Sequence, residues 1–251
     1  MLQSAFHWLL LPLSGAAHHD IAPWASWHGR CMVLAWSVLL PLGIIGARFF
    51  KIMPGQQWPQ VLDNKIWWWW HQILQYAGIV IMLLGIALVV LNAQGNNNVA
   101  RWHARLGWVV VALGLLQAIS GILRGSKGGP TDTQLHGDHY DMTARRIAFE
   151  CLHKYGGYLV LLLAVGVTFS GLLVADAPRW MLLCIALWWL LLFTLFALLQ
   201  KQGRCIDTWQ AIWGEGEKGQ KKYPLIGFGI RQYTGQQWNE KFNKTKSRMT
   251  P

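Results

Sequence analysis

Carboxylates are scarce in this chain. Asp and Glu number 11 among 251 residues, and charged residues of both signs make up only 13%. None of the 11 falls in any of the five long apolar runs, at 28–50, 68–91, 103–123, 153–175 and 180–200. That argues against a coupled transporter, whose interrupted helices carry carboxylates near mid-membrane. Cysteine is sparse too: Cys31, Cys151, Cys184 and Cys205 form no CxxC pair and no CxxCH. That argues against covalent c-type haem attachment, and the thiols are expected to be buried and inert. No basic residue precedes the apolar stretch at 6–17, which is too short to span and is interrupted by Pro12. It does not read as a secretory signal, and a short interfacial helix is expected there.

What is present is apolar surface. Hydrophobic residues make up 53%, mean hydropathy is +0.27, and many of the 17 tryptophans lie near the ends of the apolar runs. The fold class is therefore an all-α membrane bundle with five transmembrane helices, each run long enough to cross a bilayer core. Pro41 inside the first run predicts a kink that neighbouring helices can accommodate. Gly107, Gly114 and Gly121, echoed by Gly78 and Gly85, form stripes that suit either close helix contact or a flat cofactor.

Lysines and arginines set the direction of crossing. Arg30, Arg101, Arg105 and Arg179 lie on the side where the first run begins, and the other 18 of 22 lie on the opposite side. The positive-inside rule makes that second side the cytoplasm, so the amino terminus is outside and the carboxyl terminus inside. Three segments result: an outer stretch at 1–26, a five-helix membrane domain at 27–200, and a basic cytoplasmic tail at 201–251. In the tail, Trp209, Ile212 and Trp213 recur at helical spacing and predict an amphipathic turn on the membrane surface. The excess positive charge is the mark of inner loops, and no nucleic-acid partner is expected. Cys31 and Cys151 fall at opposite faces and cannot pair.

Four of the nine histidines stand alone, each at the start of a different run: His28, His71, His103 and His153. Each is about 20 residues from the first polar residue at the far end, roughly the 30 Å thickness of a bilayer core. Because the runs alternate in direction, His28 and His103 share the outer level and His71 and His153 the inner one. Two imidazoles facing each other across a bundle can hold one haem iron from both axial positions. A zinc or copper site would gather three or four ligands in one place instead. Trp27-His28-Gly29-Arg30 recurs as Trp102-His103-Ala104-Arg105, which ties the outer pair together. Arg30 and Arg105 either reach a haem propionate or mark the water boundary. His7, His18, His19, His136 and His139 lie in outer or inner loops, where a solvated role is expected and a metal or partner site is the lesser reading.

These residues resemble the cytochrome b561 superfamily over roughly 27–214. The four spaced histidines carry the likeness, with WHGRCMVLAW…LPLGIIGARFFK, ARRIAFECLHKYGGY and IDTWQAIWG. The resemblance implies a four-helix core holding two haem b groups, with His28, His71, His103 and His153 as iron ligands. It implies electron transfer from a cytoplasmic reductant such as ascorbate, or from quinol, to an outer acceptor such as a ferric chelate. Arg145 and Arg146, with Lys65 and Lys154 nearby, would then face the inner haem or an anionic donor. The likeness is strongest to the branch often fused to an outer DOMON domain. About 27 outer residues cannot form one, so a separate redox partner is expected.

Expected partners are membrane lipid and a separate electron donor and acceptor, whether small molecule, quinone or redox protein, with a homodimer left open. The expected location is a bacterial inner (plasma) membrane. Two other functions compete: a di-haem anchor subunit linking a quinone to a separate dehydrogenase or reductase, and a histidine-using metal transporter without haem.

Overall fold

The computed structural model describes residues 2–16, 20–92, 98–131, 136–216 and 223–243. Among these no β-strand occurs, only two isolated bridges, Pro12 with Pro178 and Ile206 with Arg231. The helices are α1 (Leu2–Leu10), α2 (Pro23–Phe49), α3 (Ile66–Asn92), α4 (Asn98–Ile122), α5 (Ala144–Val174), α6 (Arg179–Gln202), α7 (Thr208–Trp213) and α8 (Gly235–Trp238). Five of them, α2 to α6, are long and apolar enough to cross a membrane. The chain is an all-α integral membrane protein.

Each histidine sits deeper than its run suggested. His28, His71 and His103 lie in the second turn of their helices, and His153 lies nine residues into α5. Each of these helices begins before its apolar run, since backbone hydrogen bonding does not stop where hydropathy falls. The helix near the amino terminus covers Leu2–Leu10 rather than 6–17, because Pro12 cannot continue it.

Contacts divide the chain into two compact units. The first comprises Met1–Leu42, Leu74–Ala118 and Gly156–Leu195. Its core is Ala35, Trp36, Leu40, Met82, Val110, Val111, Val160 and Ala164. Glycines let the helices approach: a Cβ on Gly114 would lie 2.9 Å from Trp36, and one on Gly78 would lie 2.8 Å from Leu40. Those two members of the stripe serve helix contact. Pro41 has no N–H to give the Ser37 carbonyl, and α2 answers with a π-helical stretch at Val33–Leu39. The indole N–H of Trp188 on α6 donates to that carbonyl at 2.6 Å. In the same unit Ser14 donates its backbone N–H and its hydroxyl to Asp176, at 2.8 and 2.6 Å.

The second unit comprises Gly43–Ile73, Ile119–Tyr155 and Phe196–Pro251. Here the tail is folded onto the loops. Helix α7, N-capped by Asp207, is buried from Thr208 to Ile212. Trp209 Nε1 donates to the Tyr140 carbonyl at 2.8 Å, and Trp213 Nε1 donates to His139 Nδ1 at 3.2 Å. The expected amphipathic turn on the membrane surface is therefore a helix packed within protein, because loop 136–142 supplies the apolar and hydrogen-bonding partners. A second cluster joins Trp58 and Ile52 to Ile206 and Trp238. Arg48 and Lys51, the basic pair at the exit of the first run, are buried at 7% and 6% exposure. Arg48 donates to Gln200 Oε1 and to the Phe228 carbonyl, and Lys51 donates to the Ile206 carbonyl.

The thiols also depart from expectation. All four cysteines are free, but only Cys205 is buried, while Cys151 and Cys184 are exposed on α5 and α6. Both stand on helices with wide apolar surfaces, where a thiol behaves as a small hydrophobe.

Candidate metal centres

The first unit brings His28 of α2 to His103 of α4, with ring centres 6.3 Å apart and planes at 86°. The second unit brings His71 of α3 to His153 of α5, at 6.4 Å and 78°. Two imidazoles bound to one metal by bonds of about 2.0 Å, each ring centre roughly 1.1 Å behind its nitrogen, would have ring centres about 6.2 Å apart. Both pairs have that spacing. The first histidine thus faces the third and the second faces the fourth, the pairing expected from depth and side.

The other ring nitrogens are occupied. His28 Nδ1 lies 3.0 Å from the Gly85 carbonyl and His71 Nδ1 lies 3.1 Å from the Gly43 carbonyl. A carbonyl only accepts, so each of these Nδ1 atoms carries the hydrogen and Nε2 has the lone pair for a metal. His103 Nδ1 lies 3.0 Å from Ser170 Oγ, and His153 Nδ1 lies 2.8 Å from Ser120 Oγ. The residues present fit a bis-histidine haem. Among the described residues no group of three or more His, Cys, Asp or Glu could hold a metal ion, which disfavours a clustered zinc or copper site.

Aromatic and cationic side chains border both pairs. The guanidinium of Arg30 stacks on Trp27 at 4.7 Å and that of Arg105 on Trp102 at 5.5 Å, all four side chains exposed. The recurring W-H-small-R thus places an Arg–Trp pair beside each histidine of the first unit, with the two partners three residues apart on one helix face. In the second unit Phe149 stacks on His153 at 5.1 Å and 30°. Trp68 lies 6.4 Å from His71, and Arg124 stacks on Trp68 at 4.2 Å.

Arg145 and Arg146 part company. Arg146 is buried, donates Nε to Glu150 at 2.9 Å and stacks on Phe149 at 5.0 Å. Arg145 is exposed and donates to the Leu123 carbonyl at 3.1 Å. Lys154 donates to Glu150 at 2.5 Å and to the Ile226 carbonyl at 2.9 Å, while Lys65 is exposed. His139, read from sequence as a loop residue, is 2% exposed. Burial, aided by the charge of Arg146, pushes its imidazole down to about 3, so it stays neutral. Its neighbour His136 pairs with Asp141 at 3.1 Å. His18 and His19 lie outside the described residues.

Sequence reasoning missed Ser120, Ser170 and Gly171 behind the rings, though a signal was there. Ser120-Gly121 follows His103 at the same interval at which Ser170-Gly171 follows His153. Gly171 clears space for the opposite ring, where a Cβ would lie 3.0 Å from His103 Cε1; a Cβ on Gly121 would make an ordinary contact, 3.6 Å from His153 Cε1.

Residues 27–177 match the family described as eukaryotic cytochrome b561. A cytochrome b561, DM13 and DOMON domain-containing protein of Arabidopsis thaliana is 28% identical over 63% of this chain and 16% of its own length. Ferric-chelate reductase 1 of Homo sapiens is 27% identical over 48% of this chain and 20% of its own length. A cytochrome b561 and DOMON domain-containing protein of Arabidopsis thaliana is 28% identical over 60% of this chain and 34% of its own length. The chain therefore spans about a third or less of these relatives. No solved structure matches it. The family match contains all four paired histidines and covers more than half of the chain, which belongs to the cytochrome b561 family.

Proposed function

We propose that this protein carries electrons across a membrane through two bis-histidine b haems. The observation that carries this reading is the pair of imidazole couples, each at the spacing one iron requires and each with Nδ1 already engaged. Family membership implies haem b binding, and haem iron supplies one-electron exchange. The chain's own part is to fix the rings. His28 and His103 hold the outer group, and His71 and His153 hold the inner one. The Arg30–Trp27 and Arg105–Trp102 pairs border the outer group, where a cation can meet a propionate or an anionic acceptor. Arg146 and Lys154, held by Glu150, give the inner end its positive charge. Arg145, on the exposed face, is the residue there best placed to meet an anionic donor.

The positive-inside count supports an outer amino terminus and a cytoplasmic carboxyl terminus. The donor is then cytoplasmic or a quinol, and the acceptor lies at the opposite face. A ferric chelate suits that acceptor, in line with the name of the human relative.

A reduced-minus-oxidised spectrum of the purified protein tests the core of this reading. Low-spin b-type bands are expected, and their absence refutes it. His28→Ala and His103→Ala should each remove the same haem and leave the other; loss of different haems refutes the pairing. Reconstituted vesicles with reductant inside and a ferric chelate outside then separate a transmembrane conduit from an anchor subunit, which would not reduce the outer acceptor by itself.

A further inference from the structure

Behind the four imidazoles runs a reciprocal set of hydrogen bonds. Helices α2 and α3 exchange theirs through backbone: His28 of α2 to the Gly85 carbonyl of α3, and His71 of α3 to the Gly43 carbonyl of α2. Helices α4 and α5 exchange theirs through side chains: His103 of α4 to Ser170 of α5, and His153 of α5 to Ser120 of α4. Each histidine couple therefore combines one ring bonded to a carbonyl with one bonded to a serine. We infer that Ser170 and Ser120 are positioning residues that hold the proton side of His103 and His153 and thereby set, one each, the redox potentials of the outer and inner haems.

A serine inside a helix often does no more than bond its own preceding turn. Ser170 does bond that turn, donating to the Val167 carbonyl at 2.8 Å. That commits its only hydrogen, so toward His103 Nδ1 the oxygen can only accept. With Nε2 of His153 taken by iron, Nδ1 carries the hydrogen and Ser120 must accept in the same way. An acceptor on Nδ1–H makes an imidazole a more basic ligand and fixes its rotation. A more basic axial ligand favours the ferric state and lowers the potential, second-shell hydrogen bonding being one of the protein's controls on haem. Beside His103 the following glycine adds to this, since Gly171 leaves the ring edge room that a Cβ would close to 3.0 Å. Serine is the adjustable half of each couple, since no side-chain change removes a backbone carbonyl.

The inference rests on the bis-histidine haem reading, and the experiment separates the two. The haem-loaded full chain, with the variants Ser170→Ala, Ser170→Thr, Ser120→Ala and Ser120→Thr, is titrated potentiometrically. The two haems are assigned beforehand by single-histidine variants. Ser170→Ala should raise the midpoint of the outer haem alone, shifting its ferric-to-ferrous equilibrium by about two- to tenfold, the range of one net hydrogen bond. Ser120→Ala should do the same to the inner haem alone. Threonine, which keeps the hydroxyl, should restore the original midpoints. If alanine ejects the haem while threonine retains it at its original potential, the hydroxyl is again the operative group. Alanine variants with both haems and unmoved midpoints overturn the inference, as does loss of haem in both alanine and threonine. A wild-type protein without b-type bands overturns the proposed function itself.

Discussion

Lys51 Nζ donates to the Ile206 carbonyl at 2.9 Å from a position 6% exposed to solvent. The loop after α2 thus holds the start of the tail through a buried cation. Burial lowers the lysine from 10.5 to about 8, helped by the charge of Lys154 and opposed by Cys205, Asp207 and Glu150. Asp207 is itself pushed up by burial and pulled down by Lys51. Between about 8 and 10.5 the unfolded chain holds more protons at this site than the folded one, so folding tightens as pH rises through that window. Below about 8 the cost of the buried cation is fully present. Lys51→Met removes the titration. Thermal unfolding in detergent from pH 7.5 to 9.5 should show a more positive slope of stability against pH in the parent than in Lys51→Met. Parallel slopes would mean that Lys51 does not titrate there.

Glu150 is gripped from both sides, by Arg146 at 2.9 Å and Lys154 at 2.5 Å, with only 4% of its side chain exposed. Removing one member of a buried charge network costs about 3–5 kcal/mol, because the partners remain buried without it. Glu150→Gln leaves two cations uncompensated beside His153, and it loosens the Lys154 contact to the Ile226 carbonyl. On heating, the inner haem should be released before the outer one, whereas the parent should lose both at a higher temperature. Following the two sets of haem bands during a melt checks the order.

Trp188 and Ser37 offer a test of the bend in α2. The carbonyl that Pro41 cannot serve is taken by the indole at 2.6 Å. Trp188→Phe leaves that buried carbonyl without its donor, at a cost of about 1–3 kcal/mol. Pro41→Ala restores an N–H at position 41. The double variant should then lose less than the sum of the two singles, a coupling read by a double-mutant cycle of unfolding free energies. Strict additivity would show that the indole does not serve this carbonyl.

Much of the site was legible because membrane spans convert sequence spacing into depth. Four histidines on four apolar runs, at matched distance from the far end, admit one pairing by level, and both couples are found. The supports behind them were not legible. A serine within a span reads only as a small polar residue, a glycine suits helix contact and a flat cofactor alike, and the repeated Ser-Gly carries meaning once the opposing ring is known. Trp209 and Trp213 were ambiguous for a different reason: periodicity reports an apolar face, not what covers it, and lipid and a protein loop suit that face equally. The burial of Arg48 and Lys51 was not legible either. Charge count set the side of the membrane, while their burial depends on carbonyls of Phe228 and Ile206, far along the chain.

The glycine stripe on α4 separates two roles that its sequence could not. At Gly114 a Cβ would meet Trp36 at 2.9 Å, inside a core where Trp36 is 5% exposed and has no room to yield. At Gly107 nothing lies within 4 Å. Gly107 stands four residues beyond His103, on the same side of the helix. Gly114→Leu should overpack the first unit by about 1–3 kcal/mol or more, lowering yield and melting temperature. Gly107→Leu should leave helix content and melting of the cofactor-free chain far less changed than Gly114→Leu, since a Cβ at 107 meets nothing within 4 Å. In the loaded protein it should displace the outer haem and spare the inner one. Circular dichroism and haem spectra of the two variants, side by side, check both halves. Retention of both haems in Gly107→Leu would mean that the space beside Gly107 faces lipid rather than the cofactor.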